Sequence, residues 1–303
     1  MDNLTVCIPT YNRQDSIAAR LKEFSTQNLN GLKVLVSDNS SEDSTLHVLS
    51  STNFSGYSFL SNSGPPTFAS NICNLLLNCE TEWALMCSDE DTVLCENLQG
   101  YSNLLGDDAF DAVVGSYSSI ETSPGKVLPP RNLTFREVML STYLGGILFR
   151  VDKFKNAINQ IQANMDLNYF LAMYPHTALL WLACALDKIR GNDSIIIRRG
   201  HHAKRFWNIV VKNKKDAKLQ YFCTVSGRWD TWTGGREWLN IIQNSLLPDG
   251  HDVECLALMR KIHNRDLLPA IRAGIRYEAP DCIDVFRDCL EAEANLLTPT
   301  TKK

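Results

Sequence analysis

Apolar residues recur along the first hundred or so positions in two alternating rhythms. Short continuous apolar runs, "LTVCIP", "LKVLVSD" and "EWALMC", are separated by stretches in which apolar positions fall three or four apart. The runs predict strands, apolar enough to be covered on both faces. Pro9 is expected to stop the first of them. The stretches between predict amphipathic helices. In "DSIAARLKEF", Ile17, Leu21 and Phe24 line one face after a start near Asp15 or Ser16. "SSEDSTLHVLSS" opens on capping residues, and "PPTFASNICNLLLNC" has prolines suited to a first helical turn. "YSFLSN" reads as a third strand, "ENLQGYSNLL" as a helix and "DAVVGSYSS" as a fifth strand. Strict alternation of strand and helix needs crossover connections, hence an α/β fold with a mainly parallel sheet and flanking helices.

In such sheets ligands bind outside the carboxyl ends of the strands. The first four strands end in "PTYNR", "SDNSSED", "SNSG" and "SDED". All four exits therefore share one rim, and polar residues scattered in sequence become neighbours in space.

The rhythm changes after about residue 120. "ETSPGKVLPPRN" is turn-rich. "YLGGILF" reads as a strand whose glycines, Gly145 and Gly146, allow close backbone approach. "DLNYFLAMYPHTALLWLACALDKI" is helical, with a break at Pro175. "SIIIRR" is a short strand, a basic stretch runs from Arg198 to Lys218, and the rest reads as helices, including "CIDVFRDCLEAEANLL".

Composition narrows the class. With 303 residues and a 44% hydrophobic fraction there is material for one large domain or two smaller ones. A net charge of -4 gives no reason to expect a nucleic-acid partner. No apolar run approaches the ~18 residues of a spanning helix. The opening "MDNLTVCIPTYNR" is unlike a secretory leader, and ten scattered cysteines without a CxxC fit core thiols in a reducing cytoplasm.

The chemistry concentrates at the strand exits. Asp89 and Asp91 have the spacing by which two carboxylates address one hard cation, Mg²⁺ or Mn²⁺. Strand alternation would turn Glu90 away. Acids at a helix start, favoured by its dipole, are the structural alternative. Asp38 ends an apolar strand, where it suits either a base or ribose or local turn bonds. Tyr11 could stack on a base and Arg13 meet a phosphate.

In this order and spacing, "VCIPTYNR", "VLVSDNSSEDST", "SNSG" and "ALMCSDED" resemble the nucleotide-binding half of the family 2 glycosyltransferases, with their GT-A fold. The "SDED" version and the later "YPH" look like bacterial enzymes that build O-antigen or capsule repeat units. The resemblance implies a GT-A domain over residues 1–195, with a nucleotide-sugar half (1–120) and an acceptor half (121–195), followed by a mainly helical region (196–303). It implies that Pro9, Thr10, Tyr11 and Arg13 border the nucleotide, that Asp38 binds the base, usually uracil, and that Asn62, Gly64 and Asn71 form the floor. Asp89 and Asp91 would hold Mn²⁺ or Mg²⁺, with Asp91 the stronger ligand, and Gly145 and Gly146 would lie beside the acceptor. The family's Glu-Asp pair at the later helix is missing, which leaves Asp166 and His176 as candidate general bases. Histidine has the pKa for that task unperturbed, and Asp166 reads otherwise as a helix N-cap.

The activity implied is inverting transfer from a nucleoside-diphosphate sugar, a UDP-sugar first, to a glycan or lipid-linked oligosaccharide hydroxyl. The basic stretch suits either anionic lipid, giving peripheral contact with the inner face of the membrane, or the donor diphosphate through Arg198, Arg199 or His202. Trp229 and Trp232 suit either sugar stacking or packing. Two other readings remain open: a non-catalytic nucleotide-sugar or glycan binder with the same fold, and a sugar nucleotidyltransferase. The second would need a glycine-rich phosphate loop, and "PTYNRQDS" has no glycine.

Overall fold

The computed structural model describes residues 2–27, 29, 31–62, 67–98, 101–118, 129–139, 141, 143–198, 225–251 and 254–263. The first part alternates as its apolar rhythm dictates: β1 (Leu4–Thr10), α1 (Gln14–Thr26), β2 (Lys33–Asp38), α2 (Thr45–Ser51), β3 (Tyr57–Ser61), α3 (Phe68–Leu77) and β4 (Trp83–Met86). β5 (Thr92–Val93), α4 (Cys95–Leu98), α5 (Ser102–Leu105) and β6 (Ala112–Ser118) follow. Then come α6 (Phe135–Met139), β7 (Ile147–Arg150), α7 (Val151–Asn164), α8 (Tyr169–Met173), α9 (Pro175–Ala185) and β8 (Ile189–Arg198). α10 (Val225–Ile241) continues into a π-helical turn, Ile242–Leu246, and α11 spans 254–263.

The strands form one sheet in the order β3-β2-β1-β4-β7-β6-β8-β5. β1 to β4 are parallel throughout. The antiparallel members are β7, between β4 and β6, and the short β5 at the far edge. Side chains alternate across the sheet, as strand geometry requires. Val6, Ile8, Val34, Val36, Trp83 and Leu85 join Ile17, Leu21, Phe24 and Leu49 of α1 and α2 in one apolar cluster. Cys7, Leu35, Ala84 and Met86 join α3, α7, α8 and α9 in another. Both faces are thus covered, which explains the near-continuous apolar runs.

Four sequence expectations shift. Pro9 does not stop β1, which runs on to Thr10. Cys7 accepts from Cys87 N–H on the β4 side, and Pro9 shares its parity, so the nitrogen without a hydrogen points past the end of β4. No ladder bond is lost. The helix expected over "ENLQGYSNLL" is the two short helices α4 and α5. The short strand expected at "SIIIRR" is the end of the longer β8, which starts at Ile189. Gly145 and Gly146 lie in a turn before β7 rather than within it, and Gly146 takes a left-handed φ of 93°. The break at Pro175 is where the sequence puts it: α8 ends at Met173 and α9 begins on the proline.

Candidate active site

The carboxyl ends of β1, β2 and β3 are tied together by polar residues. Asn39 N–H donates to the Thr10 carbonyl at 3.0 Å, and Asn62 N–H to the Asp38 carbonyl at 2.8 Å. Asn12, in the left-handed region where asparagine is tolerated, receives the Glu42 N–H at 2.7 Å and donates its own to Ser41 Oγ at 2.8 Å. Asn62 Nδ2 donates to Asn39 Oδ1 and Ser70 Oγ at 3.1 and 3.2 Å. Asn71, at the start of α3 and only 2% exposed, donates to the Thr10 carbonyl at 3.2 Å. Its Oδ1 is buried and has no hydrogen-bond partner among the described residues. A buried acceptor of this kind is costly unless something donates to it.

Asp38 is buried at the end of β2, and its carboxylate accepts the N–H and hydroxyl of Ser41. Local turn chemistry is therefore present there. A carboxylate offers about four lone-pair directions, so Ser41 does not exhaust it.

"SDED" forms a turn closed by Asp91 N–H to the Ser88 carbonyl at 3.1 Å. Turn geometry, not strand alternation, therefore separates Glu90 from its neighbours. Glu90 pairs with Arg13, so the basic residue of the first exit meets the acid of the fourth. Asp89 is 8% exposed and accepts the Thr10 hydroxyl at 2.9 Å. Burial pushes its carboxyl up to about 6, against the opposing pull of Arg13 and the Thr10 hydroxyl. Asp91 is 2% exposed, and its Oδ2 accepts the Tyr143 hydroxyl at 2.5 Å. A Cβ on Gly145 would lie 2.7 Å from the same Oδ2, so this carboxylate sits where only glycine leaves room.

The turn before β7, which carries Gly145 and Gly146, is held by neighbours on β4, β6 and α9. Gly146 N–H donates to the Met86 carbonyl and its own carbonyl accepts from Gly115, both at 3.0 Å. Thr177 Oγ1 donates to the Ser141 carbonyl at 2.8 Å, which joins the start of α9 to the segment carrying Tyr143. His176, next to it, is 2% exposed, with the Phe68 ring of α3 edge-on at 6.0 Å.

The model for the family described as Glycosyl transferase family 2 matches residues 5–173. The chain belongs to that family. It is a glycosyltransferase. Among solved structures, S. aureus TarS 1-349 in complex with UDP-GlcNAc is similar at 16% identity and a TM-score of 0.58, over 87% of this chain and 73% of that one. S. aureus TarS 1-349 in complex with UDP is similar at 13% identity and a TM-score of 0.52, over 91% of each chain. At these identities the likeness is one of fold, and the fold is GT-A. No curated protein matches the chain.

In the glycosyltransferase, Pro9, Thr10, Tyr11, Arg13, Asp38, Asn62, Asn71, Asp89 and Asp91 all lie on or just beyond the carboxyl ends of β1 to β4, or at the start of α3. Gly145 reaches Asp91 from the turn before β7. Arg198 ends β8, with its guanidinium 3.5 Å from Thr92 Oγ1 and 4.0 Å from Glu23. Asp166 is an exposed residue in the turn after α7. The N-cap of α8 is Asn168, whose side chain accepts from Leu171 N–H at 3.1 Å, not Asp166. Trp232 is buried and stacks on His263 with ring centroids 5.8 Å apart, so it packs rather than presenting a sugar platform. Gly64, Arg199, His202 and the rest of the basic stretch lie outside the described residues, as does the Trp229 side chain. Sequence reasoning missed Tyr143, Asn39 and the Arg13–Glu90 pair. The only signal for Tyr143 was its place two residues before the glycine pair.

Proposed function

We propose that the chain transfers a sugar from a UDP-sugar, with inversion, to a hydroxyl of a glycan or lipid-linked oligosaccharide in surface polysaccharide synthesis. The reaction would take place in the cytoplasm or at the inner face of the membrane. Among the described residues no helix is long and apolar enough to cross a membrane. The observation that carries the reading is the convergence of Thr10, Asp38, Asn71, Asp89 and Asp91 on one sheet rim.

The donor set fits a divalent cation. Two buried carboxylates of like sign, one with its proton affinity raised by burial, favour a hard cation between them. Among the described residues no group of three or more His, Cys, Asp or Glu could hold a metal. Asp89 and Asp91 would supply two ligands and leave positions for phosphate oxygens and water. A bound ion would offset the charge on the departing diphosphate. Asn71 Oδ1 and Asp38 offer acceptors for the nucleotide. The UDP and UDP-GlcNAc in the TarS structures make uridine nucleotides the first ligands to try.

For the acceptor's proton we infer His176 rather than Asp166. His176 adjoins Phe68 at the start of α3 and is tied through Thr177 to the Tyr143 segment. Acceptor access then requires the Phe68 ring to yield.

Calorimetry with UDP and UDP-sugars, with and without Mn²⁺, tests the donor reading, followed by release of UDP in the presence of glycan acceptors. UDP binding tightened by Mn²⁺, with turnover, is expected. Binding without turnover of any sugar nucleotide would favour a non-catalytic binder. His176→Ala is expected to lower kcat by about 10²-fold, and Asp166→Asn by less than about twofold. The reverse order would return the role to Asp166.

A further inference from the structure

We propose that Tyr143 is a positioning residue that acts through Asp91, holding its carboxylate in one orientation for a divalent ion. This rests on the metal reading above. The Tyr143 hydroxyl donates to Oδ2 at 2.5 Å, within the range of a charge-assisted O–H···O⁻ bond. Oδ2 also faces Gly145, whose absent Cβ would stand 2.7 Å away. The hydroxyl bonds Oδ2 and the missing Cβ leaves room beside it, so the carboxylate is held against the turn before β7.

Tyr143 is itself held. Its ring lies against Tyr117 of β6, with centroids 4.5 Å apart at 48°. The segment behind it is pinned by Gly146 N–H to Met86 and by Thr177 to the Ser141 carbonyl. Tyr143, its neighbours Ser141 and Gly146, and Thr177 all come from the chain after β6, whereas the carboxylate that Tyr143 bonds follows β4. Tyr117 is 45% exposed, so the far ring of the pair meets solvent. Partners that orient a ligating carboxylate from outside the metal's own shell are typically worth about 10- to 100-fold in metal affinity or activity.

The test is Mn²⁺ binding at saturating UDP, followed by electron paramagnetic resonance, in the wild type and in Tyr143→Phe, which keeps the ring. About tenfold weaker Mn²⁺ binding is expected, with the KM for Mn²⁺ raised by a similar factor. kcat at saturating Mn²⁺ should change much less. A purely structural hydroxyl would lower the unfolding temperature and leave Mn²⁺ affinity alone, and that result would overturn the proposal while sparing the metal reading. A wild type that binds no Mn²⁺ would overturn both. If Tyr143→Phe does not fold, 3-fluorotyrosine placed at position 143 keeps hydroxyl and ring. It also makes the phenol a stronger hydrogen-bond donor, so Mn²⁺ affinity should shift, and an unchanged affinity would equally overturn the proposal.

Discussion

The two halves of the sheet are shaped by opposite means. From β1 to β4 the rim is built by polar side chains that tie one exit to the next: Asn12, Ser41, Asn39 and Asn71 bond backbone groups, and Asn62 bonds the side chains of Asn39 and Ser70. Described glycines there, Gly31 and Gly56, serve turns at positive φ. From β6 onward the shape comes from missing side chains. A Cβ at Gly115 would lie 2.7 Å from the Gly146 carbonyl, one at Gly145 2.7 Å from Asp91, and one at Gly235 2.7 Å from His263. The first half positions chemistry by adding groups, and the second by removing them. The candidate site lies where the two meet, at Asp91, which the first half supplies and the second confines.

That contrast predicts different kinds of damage. Asp91→Ala removes a charged group from the rim. It should lower kcat for UDP-sugar turnover by about 10³-fold, or about 4 kcal/mol of barrier, with little loss of stability. A variant that kept full turnover with Mn²⁺ would end the metal assignment.

Gly235→Ala should do the reverse. α10 lies against α8 and α9 through Gly234 and Gly235: Asn168 Nδ2 donates to the Gly234 carbonyl at 3.0 Å, and Trp238 Nε1 to the Ala178 carbonyl at 2.9 Å. An added methyl meets His263 and the Trp181 ring, both inside the packed core. Overpacking of this kind costs about 1–3 kcal/mol. Chemical denaturation should show it, while UDP affinity of the folded protein stays within about twofold. A variant as stable as the wild type would mean that α10 has slack there.

The same contrast explains what could be read in advance. The parallel half was legible because apolar runs dictate strands, and because polar residues at their ends have few other uses in a sheet covered on both faces. The grouping of "PTYNR", "SDNSSED" and "SDED" on one rim followed directly. Glycine pairs were visible as signs of close approach, but a missing side chain does not name what fills its place. Nothing in "YLGGILF" says that the neighbour is Asp91. Pro9 misled for a related reason: its cost depends on the direction its nitrogen faces, which only the register with β4 decides. β5, two residues long, carries no period to detect.

The smallest effect sharpens the meeting point itself. Burial raises the Asp89 carboxyl from its ordinary 3.8 to about 6. Between those values the folded, metal-free protein holds a proton that the unfolded chain has released. This contribution therefore stabilises the fold at acid pH and is lost as pH rises through about 6, by no more than about 3 kcal/mol. Mn²⁺ reverses the trend, because the ion takes the place of the proton: its affinity should fall as pH drops below about 6. Other carboxylates titrate in the same range, so the wild type must be compared with Asp89→Asn. Denaturation in chelator at pH 5 and pH 7.5 should show the wild type gaining relative to Asp89→Asn at the lower pH. A gap between the two proteins that does not change with pH would mean that Asp89 is already ionised in the fold. The rim would then hold two full negative charges without a cation, and the Arg13 side of the cleft, rather than a metal, would be their counterweight.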